Sequence, residues 1–404
     1  MTVSVISPIV TVPGGSIVIR HLHHAVAISV LGLTLGMGSG TEAREPMAYP
    51  ARDLAWLQAE NYLAQGQTAS LSEEQQERVD ELLRQGQERV DAEDYARAID
   101  YYQQAARIDQ ENARIFSGIG YLHLQQGNFE AAALAYRQAI GLDPDNRPFR
   151  YALAHSLFEA SRYQEAAEVY RQVIEIAPNE VNAYLGLGGV LLEMENYREA
   201  TTVYEQLAEI APGNAKVYEA LGTLHMKQEN YEEALRFLQQ AQRLAPNRSL
   251  IYLSLADVYD HLGQEQQVLS NVRRALEVAP NNALAQFRMG ELLEQQGDRE
   301  TALTHYRRAV EFDPDLIPAQ AALGAMLLER QEYLQAVLSY RRLVAALPEN
   351  PGAHYNLGLA LWGQGARGQA ASQVRQARDL YQAQGDREGA ERAQALLEFW
   401  GMAD

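Results

Sequence analysis

A period of 34 residues runs nine times through this sequence, without one insertion, from Val79 to Gln384. The units are 79–112, 113–146, 147–180, 181–214, 215–248, 249–282, 283–316, 317–350 and 351–384. So strict a period disfavours a single globular core, because each unit can bury its apolar face only against its neighbours in the chain. The eighth position is always small: Gly86, Gly120, Ala154, Gly188, Gly222, Ala256, Gly290, Gly324 and Gly358. The twentieth is Ala in every unit except the sixth, which has Val268. The twenty-fourth is Tyr102, Tyr136, Tyr170, Tyr204, Tyr306 and Tyr340 in six units, and the thirty-second is Pro in seven, from Pro144 to Pro348.

Each column has a physical reading. Small residues at eight and twenty let two antiparallel helices approach closely, and the Tyr fills the gap beside that contact. Pro stops the second helix, since it has no N–H to give and turns the residue before it away from helical geometry. Phe116, Ile119, Gly120 and His123 fall at helical spacing on a first helix. Two units break the columns, the sixth with Glu265, Val268 and Val272, and the ninth with Arg367, Val374 and Gly363, Gly365 and Gly368. Looser packing is expected in both. Gln110 and Gln382 replace the closing Pro in the first and last units.

On these columns the chain resembles the tetratricopeptide repeat (TPR) family over about three quarters of its length, residues 79–384. The resemblance implies an all-α, right-handed superhelical solenoid of nine helix-turn-helix repeats with terminal capping helices. It also implies holding partners rather than chemistry. The flanks fit: residues 44–78 read as an N-terminal helical cap or linker, with helical spacing over Arg52–Ala64 and a capping-box match at Ser72-x-x-Gln75. Residues 385–404 read as a C-terminal capping helix, whose stripe Ala390, Ala393, Leu396, Leu397 and Trp400 would cover the last repeat.

Residues 1–43 read differently. Arg20, with His21, His23 and His24, precedes the apolar run Ala25–Met37, and Thr41-Glu42-Ala43 places small side chains where a signal peptidase looks. That run is shorter than the roughly 20 residues that a bilayer span needs. The layout predicts a secretory signal and an exported, periplasmic protein, with a retained anchor at 25–38 as the alternative. The balance of 34 Lys+Arg against 53 Asp+Glu gives a net charge of −19, which disfavours nucleic acid and favours basic partners or cations. With no Cys there is no disulfide, thiolate metal site or cysteine nucleophile. No Ser/His/Asp arrangement, phosphate loop or HExxH motif stands out, and His123, His225 and His305 read as helix-packing residues, so an enzyme is not expected.

If the first helices line a concave groove, as the resemblance implies, positions two, five, nine, twelve and thirteen face it. The family's clamp for a C-terminal carboxylate uses Lys at five and Asn at nine. Position nine here reads Gln87, Tyr121, His155, Gly189, Thr223, Asp257, Glu291, Ala325 and Leu359, so a chaperone-tail clamp is not expected. Tyr121, Tyr151, His155 and Phe158 offer aromatic anchors for a peptide, or else rings packed on neighbouring helices. Glu159, Glu193 and Glu329 extend a negative field at position thirteen.

Asp257, Asp260 and His261 share one helix face, and Glu291 and Glu294 follow one repeat later. Helices about 8–10 Å apart would bring the two rows together. They read either as a site for a hard cation, Mn²⁺ or Ca²⁺, or as a solvated acidic face for basic partners. On the convex side, Arg273, Arg274, Arg307, Arg308, Arg341 and Arg342 recur at positions twenty-five and twenty-six. Glu277 and Glu311, four residues after Arg273 and Arg307, account for part of that ridge by local pairing. What remains could dock an acidic partner or anionic lipid head groups.

The reading is a non-catalytic exported scaffold that binds a partner protein or extended peptide, basic in character, and supports assembly of a membrane or envelope complex. A signal peptide followed by nine such repeats is also similar in architecture to a cyanobacterial family that assists photosystem II assembly and binds manganese, which would make the acidic cluster a site for Mn²⁺ delivery. A polysaccharide- or pilus-secretion accessory protein would need the same fold.

Overall fold

The computed structural model describes residues 71–402. The signal-like segment 1–43 and the helix expected at Arg52–Ala64 lie outside the described residues. Among the described residues the chain forms nineteen helices and no strand. The first helices of the repeats are α1 Glu73–Asp91, α3 Ala113–Gln125, α5 Arg147–Glu159, α7 Val181–Glu193, α9 Ala215–Lys227, α11 Ser249–His261, α13 Ala283–Gln295, α15 Ile317–Glu329 and α17 Pro351–Gly363. The second helices are α2 Tyr95–Ile108, α4 Phe129–Leu142, α6 Tyr163–Ile176, α8 Tyr197–Ile210, α10 Tyr231–Leu244, α12 Glu265–Val278, α14 Arg299–Phe312, α16 Tyr333–Ala346 and α18 Arg367–Ala383, and α19 Arg387–Phe399 follows. The chain divides into two compact units, one ending at Pro246 and holding α1–α10, the other running from Asn247 and holding α11–α19. Each is a stack of helix pairs.

Local chemistry sets the helix ends. Ser72 and Gln75 form the expected capping box, with Ser72 Oγ accepting from the Gln75 N–H at 3.2 Å and Gln75 Oε1 accepting from the Ser72 N–H at 3.0 Å. Asn112, Asn146, Asn214, Asn282 and Asn350, the last residues of their units, cap the next first helix through their side-chain oxygens. The residue before each Pro has left the helical region, as at Asp143 (φ −132°, ψ 82°), so the second helix stops. Gln382 cannot impose that stop, and α18 runs for 17 residues where α16 has 14.

The eighth-position glycines do more than let helices approach: they are sockets for the tyrosine rings. A Cβ on Gly120 would lie 2.8 Å from Tyr136 Cε2, one on Gly86 2.7 Å from Tyr102 Cε2, and one on Gly290 2.5 Å from Tyr306 Cε1. Gly118, at position six of the second unit, holds the other side of the Tyr102 ring, where a Cβ would come within 2.6 Å of Cε1. The Tyr102 ring therefore bridges two helices of one repeat and the start of the next, and Tyr170 meets Gly186 of the following repeat in the same way, which makes the column a link between repeats. Tyr136, Tyr306 and Tyr340 are buried.

Two further columns appear only in three dimensions. Position fifteen has positive φ in all nine units: Glu93, Gly127, Ser161, Glu195, Glu229, Gly263, Gly297, Gln331 and Gly365. The first helix ends there in a Schellman turn, for example with the Asn128 N–H donating to His123 O at 2.9 Å and the Gly127 N–H to Leu124 O at 3.0 Å. Position four reaches back to the preceding Pro carbonyl. Tyr184 OH donates to Pro178 O at 3.1 Å, Tyr218 OH to Pro212 O at 3.0 Å, Gln286 Nε2 to Pro280 O at 2.7 Å and Gln320 Nε2 to Pro314 O at 2.8 Å. His354 Nε2 meets Pro348 O at 2.9 Å in the same way.

The looser packing expected in the sixth and ninth units is not found. Val268, Val272 and Ala256 are buried together in one apolar cluster. In the ninth unit a Cβ on Gly358 would lie 2.5 Å from Val374 Cγ2, so Val374 has moved into the glycine socket. Helix α17 buries residues on all sides, His354 and Asn356 included. Beyond it Trp400 stacks on Trp362 with centroids 4.2 Å apart, and Ala390, Ala393, Leu396 and Leu397 of α19 are buried.

Candidate functional site

The candidate residues lie on both faces of the helix pairs. In the first unit, Tyr151, His155, Phe158 and Glu159 share one face of α5 and are all half-buried. The Tyr151 ring lies 6.2 Å from Tyr170 of α6 at 56°, and the Phe158 ring 5.4 Å from Tyr163 at 56°. These rings pack on the second helix of their own repeat. Burial, with Glu180 nearby, pushes the Tyr151 phenol above its ordinary range. His155 Nδ1 stands 3.9 Å from Glu159 Oε1. Burial holds its imidazole below the ordinary range and Glu159 opposes that only in part, so the neutral ring is favoured near neutrality. Tyr121 of α3 is half-buried and burial raises its phenol also. Glu193 is exposed at the end of α7.

In the second unit the acidic residues do converge, but on a guanidinium. Arg288, at position six of α13, reaches across to Asp257 of α11 at 2.5 Å, to Glu291 on its own helix at 3.2 Å and to Asp260 at 3.7 Å. Arg288, Asp257 and Glu291 keep only 28–29% of their side-chain exposure, while Asp260 keeps 64%. Burial raises the Asp257 and Glu291 carboxyls above their ordinary range against the pull of Arg288. Glu294 turns elsewhere, accepting from Tyr306 OH at 2.9 Å and standing 3.7 Å from Arg299, which also pairs with Glu329. His261 is exposed at the end of α11. The expected ligand set of Asp257, Asp260, His261, Glu291 and Glu294 is therefore not assembled around one point, and among the described residues no group of three or more His, Asp or Glu is placed to hold a metal ion. Arg288 lies between Asp257 and Glu291. Position six lies beside the groove-facing positions, and an arginine there is long enough to reach that face. A charged residue in a column that holds Gly118, Ala152, Gly186, Ala220 and Ala322 in five repeats, beside Arg84, Ser254 and Asn356 in the other three, was the available signal.

The arginine ridge is exposed along α12, α14 and α16, with a different pairing from the one expected. Glu277 accepts from Arg274 at 2.8 Å rather than from Arg273, and Arg307 reaches Glu332 of the next unit at 2.7 Å rather than Glu311. Arg273, Arg308, Arg341 and Arg342 form no ion pair among the described residues. Among the described residues no helix is long and apolar enough to cross a membrane.

Profiles of the tetratricopeptide repeat match residues 83–147, 123–187, 157–224, 213–281 and 283–316, and a TPR repeat profile matches 324–365. Among curated proteins none matches the chain in sequence. A solved tetratricopeptide repeat protein from Parabacteroides merdae is 18% identical, with a TM-score of 0.51, over 62% of this chain and 99% of that one. Human IFIT1, solved as a dimer with m7Gppp-AAAA, is 16% identical, with a TM-score of 0.46, over 71% of this chain and 68% of that one. At these identities the likeness concerns the fold alone.

Proposed function

Because the chain belongs to the tetratricopeptide repeat family, we propose that it is a non-catalytic scaffold that holds an extended, basic segment of a partner protein along its first helices. The observation that carries this reading is the cluster on α11 and α13. Three carboxylates, Asp257, Asp260 and Glu291, share one guanidinium, Arg288, and the outermost of them, Asp260, faces solvent. A Lys or Arg side chain of a partner would complete the charge balance there. The signal-like segment 1–43 supports placing this work outside the cytoplasm, in assembly of a membrane or envelope complex.

The test is crosslinking in the native cell followed by mass spectrometry, then titration of the captured partner's basic segment into the purified protein. Asp260→Asn should weaken binding about threefold to tenfold, since a charge-assisted hydrogen bond at a part-exposed site contributes about 1 kcal/mol. Capture of only acidic partners, or equal affinity for the Asp260→Asn protein, defeats the reading. N-terminal sequencing of the mature protein tests export, with Arg44 expected as the first residue.

A further inference from the structure

We propose that the outer face of α14 and α16 is a docking surface for an anionic phospholipid bilayer. The argument begins with a contrast between equivalent columns. In the first unit, an arginine at position twenty-five is neutralised by a glutamate at position nineteen of the following repeat: Arg137 pairs with Glu165 at 2.7 Å and Arg171 with Glu199 at 2.6 Å. In the second unit the arginines recur as Arg273, Arg307 and Arg341, but the residues at nineteen that follow are Thr301, Gln335 and Gln369. Arg307 compensates through Glu332, and Arg273 and Arg341 do not pair among the described residues. Arg308 and Arg342 at position twenty-six add two more exposed charges. In a chain of net charge −19, four unpaired arginines in adjoining columns of three successive repeats form a local exception to the charge of the whole.

A second observation separates a bilayer from an acidic protein. Leu334 and Leu338, at i and i+4 on α16, are 63% and 57% exposed, and Arg341 and Arg342 stand on the next turn of the same face. The exposed residues of α16 are Leu334, Gln335, Leu338, Arg341, Arg342, Ala345 and Ala346, with no acid among them. Phe312, at the end of α14, is also largely exposed. An acidic peptide would engage the arginines and leave the leucines in water. A bilayer interface takes both, with leucines at the acyl boundary and guanidinium groups at the phosphates above it. The face is the outside of paired helices, so it offers a ridge to a planar surface. It is separate from the first-helix face, and its failure would leave the partner-holding reading untouched.

The experiment uses the full chain and vesicles of phosphatidylcholine alone or mixed with phosphatidylglycerol. Any membrane affinity of the apolar run 25–37 would appear with both, so the readout is the ratio of binding to mixed over neutral vesicles in co-sedimentation. The ratio should exceed one and fall with added salt. In the Arg341→Gln/Arg342→Gln protein it should drop about 30-fold, as expected for two basic side chains at an anionic surface. Because the chain has no Cys, Leu338→Cys carries a single environment-sensitive fluorophore. Its emission should shift to the blue with mixed vesicles, while the same label at Leu134→Cys, an equally exposed leucine in the same column of the first unit, should not shift. A ratio of one, a ratio indifferent to the arginine pair, or equal shifts at both labels overturns the proposal. So does concentration-dependent self-association lost with the arginine pair and not accompanied by vesicle binding, which would assign the ridge to a second copy.

Discussion

Leu134 and Leu338 occupy the same position in two units of one molecule, are 60% and 57% exposed, and are followed three residues later by Arg137 and Arg341. What separates them is a residue one repeat further on, Glu165 in one case and Gln369 in the other. The first closes an ion pair and the second does not. One fold thus carries a neutralised outer face in its first unit and an uncompensated basic one in its second. In a repeat protein the charge of a column is decided between neighbours, and a helix read by itself gives the wrong answer.

The strongest way to break this comparison is to ask whether the two units stand independently. Tyr136→Ala should destabilise the first by about 3–5 kcal/mol and Tyr340→Ala the second by as much, since each empties a buried ring's place. Hydrogen exchange should show the loss only in the unit that carries the change, and a loss spread over all repeats would show that the units fold as one. Next comes transfer of the missing acid. Gln369→Glu should pair Arg341 and lower the mixed-to-neutral vesicle ratio about fivefold, the effect of neutralising one charge. An unchanged ratio would show that position nineteen does not govern the ridge.

A smaller effect concerns the turn at position fifteen. Gly127→Ala should destabilise and Glu229→Gly stabilise, each by about 1 kcal/mol, because φ is 71° and 58° at these sites and a Cβ there is strained. Thermal melts of both proteins check it, and identical signs would refute it. The smallest effect is one of pH. Burial lowers His123, His155 and His225 in the first unit, and His305 on α14 of the second, so the stability of their neutral forms is present above the unfolded value of about 6.5 and is lost as pH falls below it in α3–α9 and around α14. Asp257 and Glu291, in the second unit, have raised folded values, so their ionisation costs stability at neutral pH and that cost is relieved as pH falls through those raised values. Between about pH 7 and 5.5, exchange protection corrected for intrinsic rates should fall in α3–α9 relative to α11–α13. Parallel changes in both would remove the contrast.

Much of the fold was legible because its causes lie close together in the chain. Ser72 and Gln75 are three residues apart, Asn112 caps the helix that follows it, and the residue before Pro144 is turned out of the helical region by the proline itself. The site was half legible. The 34-residue offset placed Asp257 beside Glu291, as the structure has it, but nothing in the spacing showed that Arg288 would lie between them. The sixth and ninth units looked loose because each column was judged alone, whereas Val374 and Gly358 adjust to one another across two helices.

The sequence by itself determined the period, the helix ends and the class of fold, since steric limits on Pro, the reach of Asn and Ser side chains and apolar spacing act within one unit. Only the stacked structure decided which charges meet. Arg137 finds Glu165 and Arg288 finds Asp257 across 28 and 31 residues, and Arg341 finds no acid in the equivalent place. The reason is geometric: an ion pair needs two charged atoms within about 4 Å, and that distance is fixed by how one repeat rests on the next.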